Sequence, residues 1–128
     1  MGFPKKFIGI EIEKLTESSV FLNQASSIES ILKEFHFNEN FRPITPMQPP
    51  NEWRVDPGEK IHTYPYRKVI GSLLYLSNTT RIDIAHSVAF LARAQIDPQP
   101  VHHKAIGHLL SYLNANKGVG LIYRTSQR

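Results

Sequence analysis

The chain has 128 residues, 41% of them apolar and 20% charged, enough for one domain with one hydrophobic core. It contains no cysteine, which excludes disulfides, thiolate metal sites and a cysteine nucleophile. The net charge of +4 is unevenly placed. Residues 1–64 hold 7 Lys/Arg against 9 Asp/Glu, and residues 65–128 hold 8 against 2. A basic second half suits a polyanionic partner, and it equally suits a solvated helical surface. No apolar run is long enough for a membrane span, and no membrane partner is expected.

The first element is a β-hairpin over residues 6–23. Ile8, Ile10 and Ile12 alternate with Gly9, Glu11 and Glu13, which places the two sets on opposite strand faces. Thr16–Ser19 forms the turn and Val20–Leu22 the return strand. Glu11 and Glu13 read as a solvated edge. Gly9 weakens a strand unless another backbone approaches it or the strand bulges.

Ser26 and Glu29 have capping-box spacing ahead of Ile28, Ile31, Leu32 and Phe35. The pattern predicts a helix over about 27–36. Residues 38–63 lack periodicity and hold five of the nine prolines. They are expected to form an extended surface linker.

The basic half predicts three helices. The first covers 65–79, with Tyr66, Val69, Ile70, Leu73 and Leu76 inward and Arg67, Gly71, Tyr75 and Asn78 outward. Thr80–Asp83 reads as a second capping pattern. It opens a helix to about Ala94 that buries Ile84, Ala85, Val88, Leu91 and Ala92. After Asp97–Pro100 a third helix runs over about 101–114, with Val101, Ala105, Ile106, Leu109, Leu110 and Leu113 inward. Gly118 is expected to stop it, and Gly120–Tyr123 to form a short strand. The fold class is therefore α+β. Residues 1–37 make a hairpin and helix, 38–63 a linker, and 64–128 a helical region with a terminal strand.

No catalytic constellation emerges. The three aspartates are Asp56, Asp83 and Asp97, and two-metal chemistry needs clustered carboxylates. His102, His103 and His108 lack the spacing of three or four that stacks ligands on one helical face. The outward stripe of Arg67, Gly71, Tyr75 and Asn78 has two readings. A bare glycine between a cation and an aromatic ring lets a helix approach a shallow groove of nucleic acid. The same glycine lets a neighbouring helix of this protein pack closely.

Several segments together resemble the reverse transcriptase of copia-type LTR retrotransposons, in the part that follows the polymerase active site. Phe7–Ile12 resembles the family's F-L-G-I-E-I. Phe21–Gln24 and Ile28–Phe35 resemble the segment ending L-L-K-x-F, and Thr45–Met47 stands as T-P-M. Tyr66–Leu76 resembles Y-R-x-x-V-G-x-L-x-Y-L, and Thr80–Ile84 resembles T-R-P-D-I. His102, Ala105, Leu109, Tyr112–Leu113 and Gly120–Tyr123 follow in the family's order. Ile82, His103, Ser27 and His36 depart from a usual proline, tryptophan, aromatic and glycine, as in a divergent or decayed copy.

The resemblance implies roles. The hairpin with Phe7 and Gly9 resembles the primer grip, and the helix with Arg67, Gly71, Tyr75 and Asn78 resembles the thumb helix that lies in the template–primer minor groove. The implied partners are an RNA/DNA or DNA duplex and the palm and RNase H regions of the parent polyprotein. The family's Tyr-x-Asp-Asp motif does not occur in this sequence. No catalysis and no cofactor are therefore expected of the chain, Mg2+ belonging to the intact parent enzyme. A host-retained interaction module and a non-functional fragment are the alternative readings. A cytoplasmic or nuclear setting is favoured.

Overall fold

The computed structural model describes residues 10–124 in full and residues 6–7 by their backbone. The fold is α+β. Four antiparallel strands lie in the order β1-β2-β3-β4: β1 Lys6–Phe7, β2 Ile10–Thr16, β3 Ser19–Asn23 and β4 Leu121–Arg124. Four α-helices accompany them: α1 Ala25–Glu34, α2 Tyr66–Thr79, α3 Ala85–Ala92 and α4 Pro100–Ala115. Short 3-10 turns cover Pro50–Glu52 and Ile82–Ile84.

The hairpin forms over β2 and β3, but the expected first strand does not run unbroken from Phe7: Lys6–Phe7 is a separate strand paired antiparallel with Ile10–Glu11, and Ile8 lies outside the described residues. Ile12 pairs with Leu22, and Leu22 with Leu121; Glu13 pairs with Phe21, and Phe21 with Ile122. Cross-strand partners share a face, so the isoleucine face and the glutamate face are distinct, as the sequence pattern requires. The turn is fastened by Thr16 Oγ1, 2.7 Å from Ser19 Oγ, and by the Ser18 amide, which donates to Thr16 Oγ1. Unexpected from local pattern is that β4 returns to pair with β3. Gly120 permits this: a Cβ there would lie 2.1 Å from the Leu22 carbonyl oxygen.

The core is one cluster shared by all four helices. Ile28, Ile31, Leu32 and Phe35 meet Val69, Ile70, Leu73 and Leu76, with Ile84, Val88, Leu91, Ile106, Leu109, Leu110 and Leu113. These are the positions that the 3.6-residue period selects. Val101, Ala85 and Ala92 are only partly buried. Among the described strand residues none of the apolar ones enters the core.

Neither predicted capping box forms. At α1 the N-cap is Gln24, and the Ser26 hydroxyl donates instead to Glu11 Oε1 on β2 (2.7 Å), as does the Ser26 amide (3.0 Å). Glu11 is thus half-buried at a helix N-terminus rather than solvated on an edge, where its charge complements the helix dipole. Glu29 turns toward Lys117, 3.7 Å away. At α3 the Thr80 hydroxyl donates to Gln24 Oε1, and Asp83 is taken by Arg81. A tertiary partner won over the local cap in both cases. α3 ends at Ala92, two residues before the expected boundary. α4 ends at Ala115 with Asn116 as its C-cap, whose Nδ2 donates to the Tyr112 carbonyl (2.9 Å), so Gly118 is not the stop. Gln99 caps its start with Pro100 at the first helical position, where proline's missing N–H costs nothing.

Residues 38–63 lie along α4 as a strap. Lys104 Nζ donates to the Arg54 carbonyl (3.1 Å) and to Glu59 (3.0 Å). His108 Nε2 donates to the Thr45 carbonyl (2.9 Å), and the Ser111 hydroxyl to that of Asn38 (3.1 Å). Trp53 and Met47 pack against the core cluster.

Candidate nucleic-acid interface

The rotation of α2 decides what it shows to solvent. Val69, Ile70, Leu73 and Leu76 are at most 1% exposed. Tyr66 adds a directional lock, its hydroxyl donating to the Leu91 carbonyl at 2.6 Å. Burial pushes the Tyr66 hydroxyl up to about 12, so it stays a donor. With that face fixed, Arg67, Gly71, Tyr75 and Asn78 all fall on the outside and are exposed. From Arg67 to Tyr75 the stripe runs two helical turns, roughly 12 Å.

Gly71 is the informative position. A Cβ built on it has no neighbouring atom within 4 Å. No described residue therefore packs against it, and the intramolecular-packing reading of this glycine fails. Tyr75 and Leu74 keep 38% and 37% of their surface in water beside it. Lys68, one residue beyond Arg67, is ion-paired with Glu34 of α1. Arg67 has no such pair among the described residues.

The other predicted site residues lie apart from this stripe. Gly9 falls outside the described residues, and Phe7 is placed by its backbone alone, opposite Ile10. The base of the hairpin and the C-terminal end of α2 are joined, since Gln24 Oε1 accepts from both Thr79 and Thr80.

The histidines of α4 hold structure. The Gln99 amide donates to His102 Nδ1 (2.8 Å), the Tyr64 amide donates to His103 Nδ1 (3.0 Å), and His108 binds the strap. Among the described residues no group of three or more His, Asp or Glu is arranged to hold a metal ion.

A polar network that sequence reasoning missed stands behind the stripe. Arg81 is fully buried and grips Asp83 with two bonds, Nε to Oδ1 (3.1 Å) and Nη2 to Oδ2 (3.0 Å). Tyr112 of α4 donates its hydroxyl to Asp83 Oδ2 (2.7 Å), and the guanidinium lies 5.9 Å from the centre of its ring. Burial raises the Asp83 pKa, but the bonds from Arg81 and Tyr112 outweigh it and hold the carboxyl below its ordinary value. One signal was available: Asp83 is the only acid between Glu59 and Asp97, and it stands two residues from an arginine.

Two of the proteins this chain is similar to are transposon proteins. It is 28% identical over its whole length to the putative transposon Ty5-1 protein YCL074W of Saccharomyces cerevisiae. It is also 28% identical, over 92% of its length, to the retrovirus-related Pol polyprotein from transposon TNT 1-94 of Nicotiana tabacum. A shorter stretch of 57 residues is 37% identical to the secreted RxLR effector protein 161 of Plasmopara viticola, covering 44% of this chain and 40% of that protein. The chain spans 42% of the yeast protein and 10% of the tobacco polyprotein. No family model and no solved structure matches it. The similarity supports a retrotransposon Pol-derived chain.

Proposed function

We propose that this chain is a segment of a retrotransposon reverse transcriptase that grips the primer–template duplex and carries no catalysis of its own. The observation that carries the reading is the exposed stripe of Arg67, Gly71, Tyr75 and Asn78. It offers a cation, a bare patch of backbone, a flat ring and an amide in order along a helix whose other face is locked. Such a surface suits a wide, shallow minor groove read by shape and phosphate contact. The similarity to Pol polyproteins supports the same reading, and the resemblance adds Phe7 and Gly9 of the hairpin as a second contact. Arg67 takes phosphate, Gly71 allows close approach, and Tyr75 lies along the sugar edge.

The test is binding of a fluorescent RNA–DNA hybrid across a salt series, with wild type and Arg67→Ala. The substitution is expected to weaken binding evenly across sequences and to reduce the salt slope by about one unit, the signature of one lost phosphate contact. An unchanged slope would remove Arg67 from the interface. The same preparation is expected to extend no primer with any divalent metal. Metal-dependent incorporation would contradict the non-catalytic reading.

A further inference from the structure

The C-terminal end of the strap is closed by a run of rings. The His36 and His62 rings stand 4.7 Å apart, His62 and Tyr64 4.7 Å apart, and Tyr64 stacks on His103 at 6.3 Å. Tyr66 of α2 meets His103 edge-on at 5.5 Å. Two hydrogen bonds fix the run: Tyr64 donates its hydroxyl to the His36 carbonyl and its amide to His103 Nδ1.

That amide bond dictates a protonation state. An Nδ1 that accepts from a backbone N–H carries no proton, so the closed form requires neutral His103. The ring is 8% exposed, so a proton cannot be accommodated by turning it into water. His108 behaves differently: its Nε2 already donates to Thr45, and a second ring proton leaves that bond intact.

The surroundings offer an imidazolium nothing. The strap and α4 enclose a cavity of about 460 Å³ beside these rings, and Glu59 is the single carboxylate lining it. Glu59 is already held by Lys104. Arg54 and Lys60 of the strap line the same space. From α4, His102 stands next in sequence, and from the segment after α1 comes His36. Glu34 of α1 and Lys68 of α2 are paired with each other. Arg93, which follows α3, lies over Phe90. Burial first, then the neighbouring His102 and His62, keep the His103 pKa below its ordinary 6.5.

We propose that His103 is a proton-operated clasp: neutral, it fastens Tyr64 and the end of the strap to α4, and protonated in mild acid it releases them and opens the cavity between. The release is local, because the apolar contacts of Leu109, Leu110 and Leu113 do not titrate.

Amide hydrogen exchange by NMR tests this on the full chain from pH 8 to pH 5, expressed as protection factors so that intrinsic exchange rates cancel. The Tyr64 amide is expected to lose about tenfold or more of its protection, with a midpoint below pH 6.5, while Leu109 and Leu110 stay protected. Tyr64 protection that persists to pH 5, or that falls together with Leu109, would overturn the clasp. His103→Asn keeps an acceptor near the Nδ1 position and removes the titration, so Tyr64 should stay protected throughout; an unchanged transition in that variant would also overturn it. Should His103→Asn fail to fold, His62→Gln on the exposed strap gives an independent reading. His62 helps hold the His103 pKa down, so its removal should raise the midpoint, and a midpoint that stays or falls would count against the clasp.

Discussion

Arg81 has none of its surface in water, yet it carries a full charge. Its Nη1 is buried without a partner among the described residues, so Asp83 and the Tyr112 ring supply the compensation. Removing one member of a buried pair strands the other, at a cost of about 3–5 kcal/mol when both are buried. Asp83 keeps 31% of its side chain exposed, which reduces the penalty. Asp83→Asn is therefore expected to cost about 2–3 kcal/mol in urea unfolding, and Tyr112→Phe about 1–2 kcal/mol, the worth of one bond to a charged acceptor. Equal, near-zero effects would show that the network is ornamental. The acid limb follows in sign. A carboxyl held below its ordinary 3.8 supplies stability that is complete above that value and fades as pH falls through the folded-state pKa. His103 acts higher up. Its folded pKa also lies below the unfolded one, so its contribution is complete above about pH 6.5 and declines as pH falls from there toward the folded value.

At the level of elements, closure of the sheet depends on one residue without a side chain. β4 reaches β3 because Gly120 passes the Leu22 carbonyl closer than any Cβ could. That obstacle is backbone and cannot swing aside. Gly120→Ala should destabilise by about 1–3 kcal/mol, the usual range for forced overpacking. The loss should be concentrated in β4, read as faster amide exchange at Leu121–Tyr123 than in α4. Stability equal to wild type would mean that β4 does not pair with β3 in solution. The helices themselves were legible, because Val69, Ile70, Leu73 and Leu76 repeat at helical spacing and nothing in the tertiary structure opposes them. The caps were not. Ser26 and Thr80 had suitable local partners in sequence but found better ones 15 and 56 residues away, in Glu11 and Gln24. Local spacing contains no information about such partners. The same limit hid β4's return to the sheet.

Across the whole molecule, the fold holds the outward face of α2 at one fixed angle. Gln24 ties the start of α1 to the end of α2, Arg81 and Asp83 tie the next corner to Tyr112 of α4, and the strap runs along α4 from the far side. Much of the candidate interface could be read in the sequence, since Arg67, Gly71, Tyr75 and Asn78 follow from helical phase alone. The meaning of Gly71 could not, because phase says which way a residue points and not whether anything stands opposite. The open space at Gly71 makes the central claim testable with two substitutions on one position. Alanine should raise the melting temperature, since it favours a helix over glycine by up to ~1 kcal/mol and meets nothing here. Leucine should be tolerated in the free protein for the same reason. Both should weaken binding to an RNA–DNA hybrid, leucine more than alanine, because bulk intrudes where a duplex backbone must come close. The decisive measurement is therefore melting temperature and hybrid affinity on wild type, Gly71→Ala and Gly71→Leu under identical conditions. The account predicts that stability holds or rises while affinity falls in order of side-chain size. Affinity that is indifferent to both substitutions in stably folded variants would contradict it.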